Sequence, residues 1–206
     1  MERPSAPPRN MNIGSRCRRS ASSRPLDCRS SSLAWRRRAA ADALAEPGIE
    51  AILRELVEGG VEFLLIGGVA VAYHGHIRAT KDVDIVPAPN HENLERLAAV
   101  LRRLEAQVAG AEDFAEGELP DPLDPAALEL GGNWVMTTKL GRLDVMQWIG
   151  DWKLWAEFAP AAIDERIDGL PIKIVSYEGL VKLKELAGRP QDLLDLQELR
   201  EAREGG

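Results

Sequence analysis

The feature that most constrains this chain is a strand–glycine–strand unit between Val61 and Val86. Val61 to Ile66 is a short apolar run, the pattern of a buried strand. It stops at Gly67-Gly68. Small residues follow and read as a short helix, then comes a polar loop, then a second strand from Asp82 to Val86. In that strand Asp82 and Asp84 alternate with Val83 and Ile85. Side chains alternate faces along a strand, so the two carboxylates share one face and the two apolar residues enter the core. Two unit charges about 4 Å apart, at an effective dielectric of about 20, repel by roughly 4 kcal/mol. A hard cation between them relieves that repulsion, and oxygen-rich carboxylate sites suit magnesium.

The double glycine has its own chemistry. It opens a helix, where free N–H groups and the positive helix end favour phosphate, and glycine lets the backbone approach closely. Arg78, Thr80 and Lys81 lie just before the carboxylates. Two readings stand for Arg78 and Lys81: a phosphate contact, or a structural salt bridge in a solvated loop. His74-Gly75-His76 has no Cys or third His nearby in sequence, so it reads as a helix end rather than a metal pair. There is no Gly-x-Ser-x-Gly elbow and no lysine after a Walker-type glycine loop, which removes two other enzyme classes.

The chain has 206 residues, enough for one domain with a core. No apolar run reaches membrane-spanning length. The formal net charge of −7 hides an asymmetry, because residues 1–45 carry ten arginines against Glu2, Asp27 and Asp42. The rest is strongly acidic and is no obvious non-specific nucleic-acid binder. Residues 1–45 are rich in Arg, Ser and Pro and poor in aliphatics, so they read as a disordered basic leader ahead of a domain at 46–206. Such a leader matches an organelle transit peptide or a nucleic-acid-binding arm, or an over-extended start or floppy tail. Both cysteines, Cys17 and Cys28, lie in it. A cysteine-free domain fits a reducing cytoplasm and excludes a disulfide framework.

Further along, Ile49 to Glu58 has apolar residues at helical spacing, and Gly59-Gly60 ends that helix. After Pro87, Asn90 is a good N-cap for a helix with a core stripe of Leu94, Leu97, Ala98, Leu101 and Leu104. Residues 106–130 read as an acidic, proline-broken loop with one short helix. Asn133 to Lys139 and Arg142 to Ile149 form a hairpin around Leu140-Gly141. Asp144 lies in its second strand between two apolar residues; by itself it reads as an ordinary strand aspartate. Trp148, Trp152 and Trp155 read as core or interface residues rather than a base-stacking platform. Ile167-Asp168-Gly169-Leu170 is a turn feeding a strand to Val175. Ser176 caps a helix, Tyr177 to Ala187, and Gly188-Arg189-Pro190 separates it from a last helix, Gln191 to Arg203. Leu193, Leu194, Leu196 and Leu199 are that helix's expected packing residues.

Gly67-Gly68, thirteen residues, then Asp82-Val83-Asp84 resembles the signature of the nucleotidyltransferase fold, the DNA polymerase β superfamily. The His-Gly and Arg-x-Thr-Lys-Asp-Val-Asp-Ile pieces are similar to small bacterial proteins of the AbiEii type and their minimal relatives. The likeness extends over about residues 50–200. It implies an α/β (α+β) fold, with a mixed sheet flanked by helices and further helices at the C-terminus. It also implies transfer of a nucleoside monophosphate from a nucleoside triphosphate (ATP among the candidates) to an RNA or protein acceptor. The setting it implies is a bacterial toxin–antitoxin or defence module, with a cognate toxin or antitoxin as partner. Two magnesium ions are implied, held by Asp82 and Asp84, with Asp144 as the third carboxylate from a later strand and the acceptor of the attacking hydroxyl's proton. Gly67, Gly68, Arg78, Thr80, Lys81 and Lys182 are the implied nucleotide contacts. Many members of that superfamily have Gly-Ser at the double glycine; here Gly68 carries no hydroxyl. Arg189 and Asp192 resemble the same family's later motif, in a structural or substrate-facing role. Two competing readings are a catalytically inactive nucleotide- or protein-binding module, and a nucleotide-sugar glycosyltransferase using Asp82-Val83-Asp84.

Overall fold

The computed structural model describes residues 28–44, 47–113, 115 and 120–204. In chain order they form α1 (Cys28–Leu44), α2 (Pro47–Glu58), β1 (Phe63–Leu65), α3 (Gly67–His74), β2 (Asp82–Pro87), α4 (His91–Arg103), β3 (Gln107–Val108), α5 (Pro125–Glu129), β4 (Asn133–Thr138) and β5 (Gly141–Met146). Then come β6 (Trp148–Ile149), β7 (Trp152–Lys153), α6 (Leu154–Phe158), β8 (Ile163–Ile167), β9 (Leu170–Ile174), α7 (Tyr177–Ala187) and α8 (Pro190–Glu204). Seven strands make one mixed sheet in the order β3-β4-β5-β2-β1-β9-β8; β6 and β7 form a separate ribbon. β2 is parallel to β5 and antiparallel to β1, and β1 is parallel to β9. This is the mixed α/β sheet flanked by helices that the sequence led us to expect.

Local sequence explains the central elements. β1 is buried along its length, which suits its place inside the sheet. Val83 and Ile85 of β2, and Leu143 and Val145 of β5, are fully buried. α2 and α4 pack on the sheet and on each other. Asn90 caps α4 by accepting from the Asn93 N–H at 3.0 Å. Asn93 is itself fully buried. Its Oδ1 accepts from the Glu62 N–H at 2.7 Å, and its amide donates to the carbonyls of Glu62 at 2.8 Å and Ala88 at 2.9 Å. One side chain thus pins α4 to the chain flanking β1 and β2. Ser176 caps α7 through the Gly179 N–H at 3.1 Å, and Gly188 ends it in the left-handed region at φ 59°.

Four expectations need correction. The leader expected to be disordered is helical from Cys28 to Leu44, while residues 1–27 lie outside the described residues. Ala39, Ala40, Ala43 and Leu44 are buried, and α1 packs on α3. Arg37 Nε donates to Glu165 Oε1 at 2.8 Å, and the Tyr73 hydroxyl donates to Glu165 Oε2 at 3.2 Å. A search for large aliphatics overlooks a stripe of alanines, yet alanine has the best helix propensity and allows close packing. Second, α8 buries Leu196 and Leu199, but Leu193 and Leu194 are 59% and 57% exposed. Third, the hairpin strand that begins near Arg142 leaves the sheet after Met146, and Trp148–Ile149 pairs with Trp152–Lys153 instead. Fourth, residues 106–130 contribute a short edge strand, β3, as well as the helix α5, and β8 pairs with β9 where only a turn was expected.

Among the described residues, no helix is long and apolar enough to cross a membrane. The two faces of α8 give a direct test. Leu199→Ala should destabilise the protein by about 2–4 kcal/mol, whereas Leu193→Ala should change stability by less than about 0.5 kcal/mol. Urea melts of the two variants check this, and equal losses would contradict the placement of α8.

Candidate active site

β2 and β5 run parallel with Asp84 opposite Asp144 and Asp82 opposite Arg142. Residues in register on neighbouring strands share a face, so Asp84 and Asp144 are cross-strand neighbours. The apolar residues between them fix this arrangement. A one-residue slip of β2 would drive Val83 and Ile85 out of the core and Asp84 into it, and a slip of β5 would do the same to Leu143, Val145 and Asp144.

α3 begins against the same carboxylate. Ile66 donates its N–H to the Asp84 carbonyl at 3.0 Å, and the Gly68 N–H donates to the Asp84 carboxylate. Gly67 has φ 64°, and a β-carbon there would collide with the Asp84 side chain. Only glycine satisfies both the backbone conformation and the close approach. At Gly68 a β-carbon would lie 2.8 Å from Thr80 Cβ and 3.5 Å from Arg78 Nη2, and would also run into the Thr80 hydroxyl. The space that a serine would use at position 68 is therefore filled by Thr80, and a hydroxyl is present there after all.

The carboxylates are electrostatically loaded. Burial, then Asp144 and Asp82, push the Asp84 carboxyl up to about 6, against the Gly68 N–H and the Lys184 charge. Burial also raises Asp144, with Asp82 adding and Arg142 and Arg189 opposing. Asp82 Oδ1 and Asp144 Oδ1 are buried without a hydrogen-bond partner. Arg142 Nε stands 3.3 Å from Asp82 Oδ1, an ion pair without hydrogen-bond alignment. Among the described residues, no group of three or more His, Cys, Asp or Glu side chains is placed to hold a metal ion. Asp84 and Asp144 nevertheless fit a hard divalent cation as a pair, because both are oxygen donors and Asp144 has an oxygen without a donor. Asp82 is drawn toward Arg142 instead.

The expected phosphate contacts divide. Arg78 reaches the start of α3, but its guanidinium is held by Asp195, from Nε to Oδ1 at 2.9 Å and from Nη2 to Oδ2 at 3.3 Å. Thr80 is buried and donates a long bond to the Asp82 carbonyl at 3.4 Å. Lys81 is exposed and forms no ion pair among the described residues. Lys182 turns elsewhere: its ammonium pairs with Glu157 at 2.6 Å and lies 3.8 Å from the centre of the Trp152 ring. The lysine whose charge reaches Asp84 is Lys184, two residues along α7 and so on a different side of the helix.

Lys184 belongs to a buried network that sequence reading did not assemble. Its ammonium donates to Asp192 Oδ1 and Asp195 Oδ2, both at 2.7 Å. Arg189 Nε donates to Asp192 Oδ2 at 2.8 Å, and its charge interacts with Asp84 and Asp144. Burial would raise both aspartates, but it is outweighed. Bonds from Arg189 and Lys184 hold Asp192 below the ordinary carboxylate range, and Lys184, Gln191 and Arg78 do so for Asp195. The signal was present in the spacing. Asp192, Asp195, Leu196 and Leu199 are at i, i+3, i+4 and i+7, so the aspartates lie in the buried stripe of α8.

The sequence model of one family, Nucleotidyl transferase of unknown function (DUF2204), matches residues 46–205. No curated protein matches the chain. Among solved structures, the chain is similar to that of the antibiotic-resistance factor ANT(2'')-Ia, at 17% identity and a TM-score of 0.49, over 77% of this chain and 83% of that one. It is also similar to an antigenic nucleotidyltransferase-like protein from Paracoccidioides brasiliensis, at 19% identity and a TM-score of 0.44, over 77% of this chain and 75% of that one. Likenesses at this level define neither an acceptor nor a reaction for this chain.

The raised Asp84 carboxyl has a consequence for stability. It ionises near 6 in the folded chain and near 4 when unfolded. The folded state therefore holds an extra proton between those values, and the associated stability is present below about pH 4 and lost as pH rises through about 6. Asp84→Asn should raise the stability of the metal-free protein at pH 7 by up to roughly 3 kcal/mol and flatten that pH slope. Urea melts between pH 4 and pH 7 measure it; a variant less stable than the parent at pH 7 would contradict the arrangement.

Proposed function

The chain belongs to the DUF2204 family of nucleotidyl transferases, and from that premise we propose that Asp84 and Asp144 form its catalytic centre, with Asp82 as the outer carboxylate. The observation that carries this reading is the parallel register of β2 and β5, which sets two carboxylates side by side at the glycine turn that opens α3. The family match supports nucleotidyl transfer over the nucleotide-sugar reading of Asp82-Val83-Asp84.

The substrate is a nucleoside triphosphate, ATP among the candidates. Its phosphates would lie at the N-terminal turn of α3, facing the Gly67-Gly68 backbone, the Thr80 hydroxyl and the Arg78 guanidinium. Lys184 and Arg189 supply positive charge beside the carboxylates, and Lys81 is free in solvent to fold over a bound nucleotide. Magnesium bound at Asp84 and Asp144, with Asp82 joining when it leaves Arg142, would neutralise the developing phosphate charge and orient the reacting oxygens. Asp144, with its carboxyl already raised, takes the proton of the attacking hydroxyl. The acceptor oxygen forms its bond to the α-phosphorus as the bond to pyrophosphate breaks. The chain's own contribution is a preorganised, charged surface, and no protein nucleophile is needed.

The finer reading rests on the signature's resemblance to AbiEii-type proteins. It supports an RNA or protein acceptor and a place in a bacterial toxin–antitoxin or defence module, beside a cognate partner. One observation favours the catalytically inactive alternative: Asp82 is paired with Arg142, and among the described residues no three-carboxylate cluster is formed. The two readings separate in one assay. Incubation with α-labelled nucleoside triphosphates, magnesium and candidate tRNA or protein acceptors should show transfer, reduced at least about a hundredfold in Asp84→Asn and in Asp144→Asn. Transfer that survives Asp84→Asn refutes the centre, and magnesium-dependent nucleotide binding without transfer to any acceptor favours the inactive module.

A further inference from the structure

Four side chains share one face of the sheet at the centre. β2 carries Asp82 and Asp84, and β5 carries Arg142 and Asp144 opposite them in register. Neighbouring strands lie about 5 Å apart and alternate residues about 7 Å apart, so the four stand at the corners of a small rectangle. Three corners are carboxylates and the fourth is a guanidinium.

That guanidinium is loosely held. Arg142 Nε stands 3.3 Å from Asp82 Oδ1, and its charge opposes the rise of the Asp144 carboxyl. Among the described residues it makes no hydrogen bond, and Asp82 is its one ion-pair partner. The two side chains are 50% and 34% exposed. An exposed, unaligned ion pair contributes little to stability, so exchanging it for another partner costs little. The other cations of the centre are tied down. Arg78 is bound twice by buried Asp195, and Lys184 and Arg189 are bound by buried Asp192.

We infer that Arg142 binds the phosphates of the nucleotide, and that in leaving Asp82 to do so it completes the carboxylate set for the cation. The inference rests on the transferase reading for its ligand and on the four corners for its residue. A guanidinium has five N–H donors, and its planar fork matches two phosphate oxygens. Without nucleotide, the Arg142 charge repels a divalent cation and occupies Asp82. A triphosphate at the start of α3, beside Asp84, offers Arg142 a more highly charged, bidentate partner. Asp82 is then released toward Asp84 and Asp144. Nucleotide and cation therefore favour each other, and by linkage the effect is reciprocal.

The test reads binding, not turnover, in the full chain at pH 8, above the raised Asp84 carboxyl. Manganese(II) alone is titrated by the loss of its free EPR signal. An ATP analogue with a methylene group between the α- and β-phosphates, which cannot release pyrophosphate, is titrated in EDTA by calorimetry. Arg142→Gln should bind manganese about five- to twentyfold more tightly than the parent, and the analogue about five- to tenfold more weakly. Asp82→Asn should shift both the other way, with weaker manganese binding and about two- to fivefold tighter analogue binding. Arg142→Lys, which keeps the charge and loses the fork, should weaken the analogue and leave manganese within about twofold. Lys139→Gln removes a positive charge from the same hairpin, at a lysine paired with Glu105, and should change neither. Equal shifts in Lys139→Gln and Arg142→Gln would overturn the inference. A parent that binds both ligands, with Arg142→Gln unchanged, overturns the role of Arg142 and leaves the transferase reading standing. A parent that binds neither overturns both.

Discussion

The structure is organised around two carboxylates that would separate if they could. Asp84 and Asp144 are held together by the register of β2 and β5, and that register is enforced by four fully buried apolar side chains. At about 4 Å and an effective dielectric of about 20, such a pair repels by roughly 4 kcal/mol. Burying one aliphatic side chain contributes about 1.5–3 kcal/mol, so the four together outweigh the repulsion. Burial first, and then the Asp144 charge, raise the Asp84 carboxyl. A folded state that tolerates such a pair is one in which a bound cation would relieve a strain already present.

The opposite charge is organised with equal care, and by a different device. Lys184, Arg78 and Arg189 converge on α8, where Asp192 and Asp195 neutralise two of the three. The surplus is one positive charge, and both Lys184 and Arg189 act on the β2–β5 carboxylates. Buried ion pairs are poor sources of stability, because desolvation offsets much of the attraction. Their value here is positional. Without the two aspartates, nothing would hold long, flexible cations at a defined place beside the centre. The tie between Arg78 and Asp195 also means that a phosphate at α3 competes with a carboxylate for the same guanidinium.

Much of this was legible in the residues. The alternation of Asp82 to Ile85, the double glycine and the apolar stripes of α2 and α4 each have a local period that a reader can count. Asp144 was placed by its resemblance to a family pattern, and the register of β5 then set it beside Asp84. Three things were harder to see. The alanine stripe of α1 lacks the large side chains that announce a buried face, and its Arg37 is answered by Glu165, far away in sequence. Lys182 and Lys184 lie on one helix, and only the packing of α7 on α8 decides which of them meets the network. α8 has four leucines and four buried positions, but only Leu196 and Leu199 coincide; hydrophobicity alone points to Leu193 and Leu194, while the buried stripe takes two aspartates.

The end of β5 shows how a centre and a neighbouring cavity can be built from one strand. Met146 is the last residue of β5 to pair with β4, opposite Asn133. Asn133 Oδ1 then accepts from the N–H groups of Gln147 at 2.9 Å and Trp148 at 3.2 Å, and its amide donates to the Trp148 carbonyl at 2.8 Å. A side chain thus replaces the missing ladder, so the chain can turn away without leaving those backbone groups unpaired. Gly131, at φ 80°, clears the space into which Trp148 swings, since a β-carbon there would collide with the indole nitrogen. The same departure leaves Gln147 with one oxygen unanswered and sets Trp148 on the cavity wall. Had β5 continued its ladder to Ile149, as its alternating sequence suggests, Gln147 and Trp148 would lie on opposite faces of a regular strand. The break therefore determines where the strand carrying Asp144 stops being a scaffold for charge and starts to shape a pocket.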